Sequence, residues 1–375
     1  MKTLIFPIAL MLFSHVATAQ VSGSFYFEGL NRDYLTYVPA SIASGTPAPL
    51  VFVLHGFTQT AQGVMQYSNF NEVAESEGFI VVYPNGVNLS WNVGFSSSGA
   101  NDVGFLNALI DTLDNKYPVN LDRVYACGMS NGGFMSYLLA CELGHRITAI
   151  ASVAGSMTSF NFNDCHPKRA VPVMEIHGTS DLIVNYNGAT GIKSIAEVIA
   201  YWVAQNGCPS QPQVTMLPDL ENEGSRIERM TYEPCANNGE VTLLKVINGG
   251  HTWPGSSDSG FGNTNRDIHA SHEIWNFFNQ FNLSGIINAT DEARQSIEFA
   301  AFPNPAAEIL QVSLPQDLSL RNAALRLLDA QGRAVLQQAL STPTIQLSVS
   351  ALPAGMYVLE VWTAEGIAHK KVLIH

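Results

Sequence analysis

Along the chain, apolar runs of strand length alternate with segments whose apolar residues recur at helical spacing. Leu50 to Leu54 runs into His55-Gly56, Phe79 to Tyr83 into Pro84-Asn85-Gly86, Arg123 to Cys127 into Gly128, and Val171 to Ile176 into His177-Gly178. Continuous apolar runs suit strands covered on both faces, as in a parallel sheet. Between them, Leu106, Leu109, Ile110, Leu113 and Tyr117 mark one helical face. Ile192, Ile195, Ala196, Ile199, Trp202 and Val203 mark a second, and Ile274, Phe277, Phe278 and Phe281 a third. Such stripes pack helices onto a sheet, and the alternation predicts a layered α/β domain over residues 20–283. The pattern weakens through residues 284–300 and then changes character. Ile309 to Leu314, Leu325 to Leu328, Ile345 to Val349 and Met356 to Val361 read as short strands. Glu365-Gly366 separates Met356–Thr363 from Ala368–Ile374 as a hairpin turn does. With no comparable helical stripe, residues 301–375 are expected to form a small all-β sandwich.

Residues 1–19 read as a secretory signal peptide rather than a fold element. Lys2 supplies the positive start, Leu4 to Val16 is mostly apolar, and Ala17-Thr18-Ala19 is a small-x-small cleavage signal. That run is too short to span a bilayer, and no other stretch reaches transmembrane length. The expected destination is therefore oxidising. An odd count of 5 cysteines leaves at least one unpaired. Cys127, within an apolar run, is the candidate buried thiol. Cys208 and Cys235 flank a polar, loop-rich segment and are the favoured disulfide; Cys141 with Cys165 is the second candidate. The formal net charge is -13, from 18 Lys+Arg against 31 Asp+Glu. That balance favours solubility and argues against nucleic acid as a partner, because it repels phosphate backbones.

The strongest chemical signal is Gly128-Met129-Ser130-Asn131-Gly132-Gly133. It follows an apolar strand and precedes a helical segment, the setting required of a G-x-S-x-G nucleophile elbow. A serine hydroxyl needs a base, and on this fold acid and histidine follow the serine in that order. His177-Gly178-Thr179-Ser180-Asp181, after a strand, supplies Asp181. Asn248-Gly249-Gly250-His251-Thr252-Trp253-Pro254-Gly255, after the Val241 to Ile247 strand, supplies His251. The backbone N–H of Asn131 and that of Phe57 or Thr58, in the loop after an early strand, are the expected oxyanion donors. His55 is expected to brace that loop. His269 and His272 are spaced for a shared helix face but lack a third ligand, so no metal site is expected.

Together these stretches, with His55-Gly56-Phe57-Thr58-Gln59, Tyr83-Pro84-Asn85-Gly86, Trp91-Asn92 and Asp102-Val103-Gly104-Phe105, resemble the polyhydroxybutyrate depolymerase and feruloyl esterase group of the carbohydrate esterase family 1 kind. The likeness covers roughly residues 22 to 282. It implies an α/β-hydrolase fold and the triad Ser130, Asp181 and His251. Phe57 departs from the cysteine that many relatives carry there. Phe302-Pro303-Asn304-Pro305-Ala306, Gly355-Met356-Tyr357-Val358-Leu359 and Lys370 to Ile374 resemble a type IX secretion C-terminal sorting domain. That second likeness implies an Ig-like β-sandwich, recognition by outer-membrane export machinery, and delivery to the cell surface or medium.

The expected reaction is acyl transfer to water through an acyl-serine, without metal or organic cofactor. Trp91, Phe95, Phe134, Trp202 and Trp253 are available to line an acyl pocket, and the loop residues Trp91 and Trp253 are taken as substrate-binding. Export favours an ester-bearing polymer too large to import. Feruloyl or acetyl esters on hemicellulose come first, poly(3-hydroxybutyrate) or another polyester second. A peptidase on the same fold and a non-catalytic polymer-binding surface protein are the readings from other classes.

Overall fold

The computed structural model describes residues 20–375 apart from 45–46, 96–97, 236–238, 258–260, 284, 287–298, 316–319, 321–322, 330–333, 341 and 364–365. The expected signal peptide, most of the expected linker, and Glu365 of the expected hairpin turn lie outside the described residues. The chain divides into two compact units, Met1–Ile286 and Ile287–His375.

The first unit is built on one ten-stranded sheet. Its elements are β1 (Gln20–Phe27), β2 (Leu30–Tyr37), β3 (Ala48–Leu54), α1 (Ala61–Ser68), α2 (Phe70–Glu77), β4 (Ile80–Pro84), α3 (Asp102–Asp114), β5 (Val119–Met129), α4 (Asn131–Leu143), β6 (Ala149–Val153), α5 (Ser159–Asp164), β7 (Val173–Gly178), α6 (Ile195–Gln205), β8 (Gln213–Met216), β9 (Arg226–Tyr232), β10 (Val241–Ile247) and α7 (Ala270–Phe278), followed by the short pair β11 (Phe281–Asn282) and β12 (Gly285–Ile286). The sheet order is β1-β2-β4-β3-β5-β6-β7-β10-β9-β8. Strands β4, β3, β5, β6, β7 and β10 run parallel. An antiparallel ribbon closes each side.

Every residue of β3, β4, β6 and β7 is buried, because helices cover both faces of the sheet. Alternate residues serve opposite layers. Leu50, Phe52 and Leu54 join α3, α4 and α6 in one apolar cluster. Val51 and Val53 join α1, α2 and α7 in the other. Each such side chain taken wholly out of water contributes about 1.5–3 kcal/mol before conformational entropy is counted. Local signals fix the helix starts. Thr60 caps α1 by accepting from Gly63 N–H, and Ser194 with Glu197 forms a reciprocal capping box on α6.

Both cysteine pairs are joined, Cys208 to Cys235 and Cys141 to Cys165. The second candidate thus exists beside the favoured pair, tying the end of α4 to the loop after α5. Cys127 is a buried free thiol whose pKa burial pushes up.

The second unit holds β13 (Ala300–Phe302), β14 (Ile309–Ser313), β15 (Ala324–Leu328), β16 (Ala334–Ala339), β17 (Thr344–Ser348), β18 (Gly355–Thr363) and β19 (Gly366–Ile374). They form a three-stranded sheet, β13-β14-β17, and a four-stranded sheet, β16-β15-β18-β19. Pairing is antiparallel throughout. Leu310 and Val312 from one sheet meet Leu325, Leu327, Leu359 and Val361 from the other in a single core. Period-two alternation sends these residues inward, as a sandwich requires.

Candidate active site

The parallel strands deliver the chemistry. β3 ends at Leu54, just before His55-Gly56; β5 ends at Met129, just before Ser130; β7 ends at Gly178, three residues before Asp181; β10 ends at Ile247, four residues before His251. In an open α/β sheet, sites form beyond these carboxyl ends.

Ser130 sits at φ 54°, ψ -117°, between β5 and α4. This strained conformation is held by hydrogen bonds from Ser130 N–H to Val153 O (2.9 Å) and from Phe134 N–H to Ser130 O (3.0 Å). The turn brings α4 hard against β3. A Cβ on Gly132 would lie 2.1 Å from the Leu54 carbonyl oxygen, so no side chain fits there.

Asp181 and His251 meet across a second tight crossing. A Cβ on Gly178 would lie 2.3 Å from Gly249 O. Without it, Thr179 N–H reaches Val246 O and Ser180 N–H reaches Gly249 O, each at 2.9 Å. The His251 loop is fixed in turn by His251 N–H to Phe261 O (2.9 Å) and Gly250 N–H to Asn263 O (2.8 Å). The outcome is a 2.7 Å hydrogen bond from His251 Nδ1 to Asp181 Oδ2. Asp181 Oδ1 accepts from the N–H groups of Ile183 (2.8 Å) and Val184 (2.9 Å). With Nδ1 donating to the carboxylate, Nε2 of His251 is the nitrogen left for the serine. Ser130 and His251 line one cavity of about 470 Å³.

The loop expected to hold an oxyanion donor is braced from below. His55 is fully buried; its Nε2 accepts from Gly86 N–H (2.9 Å), so the Nδ1 proton goes to Gly56 O (2.7 Å). Burial lowers the His55 pKa, consistent with this neutral tautomer. His55 acts as the brace anticipated, through backbone contacts. Phe57 lines the cavity and, among the described hydrogen bonds, its N–H has no acceptor. Asn131 N–H opens the first turn of α4, where no intrahelical partner exists. Thr58 must be corrected. Its N–H is spent on Leu89 O at 2.9 Å, so it is not free to donate to an oxyanion.

The expected aromatic lining is also corrected. Trp91 and Trp253 are wholly buried. Trp91 lies beneath the loop after β3 and donates Nε1–H to His55 O (2.9 Å), while Asn131 Oδ1 accepts from Trp91 N–H (2.6 Å). Trp253 packs on Tyr67 and Phe70 and donates Nε1–H to Ser271 Oγ (3.2 Å). Trp202 stacks in the core on Tyr137, and Phe95 meets the buried Phe134 edge-on. The cavity is walled instead by Phe57, Tyr67, Met129, Ile183 and Phe261. Sequence reasoning missed both Tyr67 and Phe261, the latter standing alone in a Gly/Ser stretch. Beside the cavity, sharing Thr58, Gln59 and Tyr67 with it, lies a trough of about 400 Å³ continued by Thr60, Gln66, Ser256 and Ser257. Among the described residues its walls carry hydroxyls and amides but no charged side chain. Among the described residues no cluster of three metal-ligating groups exists; His269 and His272 stand with ring centroids 5.3 Å apart.

A serine on a strained turn, with an acid–histidine pair above a mainly parallel sheet, defines the class as a serine hydrolase of the α/β-hydrolase fold. Residues 32–207 match the esterase PHB depolymerase family and residues 300–375 the secretion system C-terminal sorting domain. It is 29% identical over 266 residues to a bifunctional acetylxylan esterase/xylanase of Neocallimastix patriciarum, covering 70% of this chain and 35% of that protein. It is 26% identical over 267 residues to feruloyl esterase D of Neurospora crassa, covering 68% of this chain and 84% of the relative. The chain therefore spans about a third of the first relative's length. In fold it is similar to an acetyl xylan esterase from Aspergillus awamori, with a TM-score of 0.54, 16% identity, and coverage of 69% of this chain and 99% of that one.

Proposed function

We propose that this protein hydrolyses feruloyl or acetyl esters carried by a hemicellulose, through an acyl-enzyme on Ser130. The observation that carries the reading is the 2.7 Å Asp181–His251 bond on the wall of the cavity that Ser130 also lines. His251 Nε2 takes the Ser130 proton as Oγ attacks the ester carbonyl. Asp181 holds the imidazole tautomer and stabilises its cation. The Phe57 and Asn131 N–H groups receive the developing oxyanion. His251 then returns the proton to the departing alcohol, and water repeats the sequence to free the acid.

The two adjoining hollows favour a sugar ester over a polyester. The aromatic and aliphatic walls around Ser130 suit an acyl group. The hydroxyls and amides of the trough offer donors and acceptors to hydroxyls, which a hydroxyalkanoate chain does not carry along its length. The second reading, a polyester depolymerase, draws on the exposed Phe57, Leu182, Ile183 and Phe261, an apolar surface on which a polyester could lie. Parallel assays on methyl ferulate, acetylated xylan and hydroxybutyrate polymer separate the two. The expected order has the hemicellulose esters fastest. Ser130→Ala is expected to lose roughly 10⁴-fold or more in kcat on every ester while remaining folded by circular dichroism; retained turnover would remove Ser130 as nucleophile.

Delivery follows from the tail. The sorting domain supports passage through type IX outer-membrane export machinery to the cell surface or medium, after removal of residues 1–19. Deleting residues 301–375 should leave ester turnover in the purified chain and keep it inside the producing cell. Normal export of the truncated chain would assign the tail another role.

A further inference from the structure

Behind the triad lies a second set of ionisable groups that acyl transfer does not use. Glu175 and His177 are alternate residues of β7 and share one face of an otherwise apolar strand. Both are fully buried, as are Tyr137 and Asp181. Tyr137 donates its O–H to Glu175 Oε2 at 2.7 Å. His177 Nδ1 lies 2.8 Å from Glu175 Oε1, and Nε2 lies 2.8 Å from Val184 O. The same Nε2 is 3.5 Å from Asp181 Oδ2, the oxygen that receives His251. Val184 closes the loop by donating its own N–H to Asp181 Oδ1.

Proton counting fixes one of the two ring hydrogens. A carbonyl only accepts, so Nε2 carries a hydrogen. The proton between Nδ1 and Glu175 Oε1 decides the rest: burial raises the Glu175 pKa, while its bonds to His177 and Tyr137 lower it, and with that proton on Nδ1 the ring is a cation. Two buried carboxylates, Glu175 and Asp181, would otherwise face each other in a low-dielectric interior at high cost. The remaining groups around the ring are few. Tyr186 meets it edge-on at 5.9 Å from the following loop, and Lys245, opposite it on β10, is paired with Glu228 of β9.

Resting on the triad reading, we propose that His177 is a positioning residue for the triad, an imidazolium clamped between Glu175 and Asp181. It anchors the loop that aims Asp181 and offsets part of the negative charge that His251 feels. Its own proton is held by Glu175, the Val184 carbonyl and Asp181, which together outweigh desolvation and raise its pKa. Taking the cation away leaves the Asp181 charge uncompensated. The protonated triad is then favoured, and the acidic limb of the kcat/KM profile moves to higher pH.

Two measurements test this. Nitrogen-15 spectra of the histidines in the full native chain should show both His177 nitrogens protonated across neutral pH. A neutral ring there overturns the proposal whether or not any variant folds. His177→Gln keeps a donor near Nε2 without the charge. It should move the acidic limb upward by about one pH unit and lower kcat about tenfold with KM little changed. A fall in kcat with the limb in place would make His177 merely structural. Because the spectra need no turnover, a chain that cleaves no ester would sink the hydrolase reading and still leave the ring's charge decided.

Discussion

The two sides of Ser130 are built on opposite principles. Beneath it, Trp91, His55, Asn131, Glu175, His177 and Asp181 are at most 2% exposed, and their polar atoms are bonded to one another, to backbone, or to the Tyr137 and His251 side chains. Above it, Phe57 is 62% exposed, Ile183 55% and Phe261 72%. Catalysis depends on distances, so the floor is packed until nothing can shift. Recognition depends on surface offered to a ligand, so the rim leaves apolar area uncovered at a cost in solubility. A change in the floor should therefore reach stability and turnover together, whereas a change in the rim should reach only binding.

Gly132→Ala is the harshest way to challenge that division. The new methyl would sit 2.1 Å from Leu54 O and 2.6 Å from Leu54 C, both backbone atoms of a central strand. Neither can swing aside as a side chain can. Relief requires α4 to move off β3, which displaces the Asn131 N–H and the Ser130 turn together. Urea unfolding should show a loss of about 3 kcal/mol or more, accompanied by a collapse in kcat. A variant within about 0.5 kcal/mol of the parent, with normal turnover, would mean that the floor yields and the contrast with the rim is false.

Legibility in the sequence follows the same line. The continuous runs ending at Leu54, Cys127 and Ile176 could be read as buried parallel strands because burial on both faces leaves no polar alternation. Ser130, Asp181 and His251 could be placed because each stands a few residues after such a strand. What failed depends on partners distant in sequence. Thr58 was a plausible oxyanion donor until its N–H met Leu89 O, 31 positions along the chain. Trp91 and Trp253 looked like loop residues free to face a ligand. They are buried because their indole N–H groups find His55 O and Ser271 Oγ, which no local pattern announces. The Glu175–His177 pair did leave a trace: two ionisable residues at period-two spacing inside an apolar strand, which is costly unless they are paired. Of the rim only Phe57 was singled out; Phe261 was illegible, since it stands among glycine and serine with no periodicity to interpret.

Phe261→Ala probes the other side with a smaller expected effect. The backbone of Phe261 matters to the floor, because its carbonyl accepts from His251 N–H at 2.9 Å. Alanine keeps that bond, so the substitution removes only the ring. At 72% exposure the ring has little packing to lose in the free protein, and the unfolding midpoint should stay in place. Bound to an aromatic acyl group it would lose part of the roughly 1.5–3 kcal/mol that burying a large apolar side chain supplies. KM for methyl ferulate should therefore rise about three- to tenfold, with kcat held, and KM for a short acetyl ester, which cannot reach the ring, should change least. Equal losses on both esters would show that Phe261 supports the His251 loop through its side chain, and that floor and rim are one structure at this point.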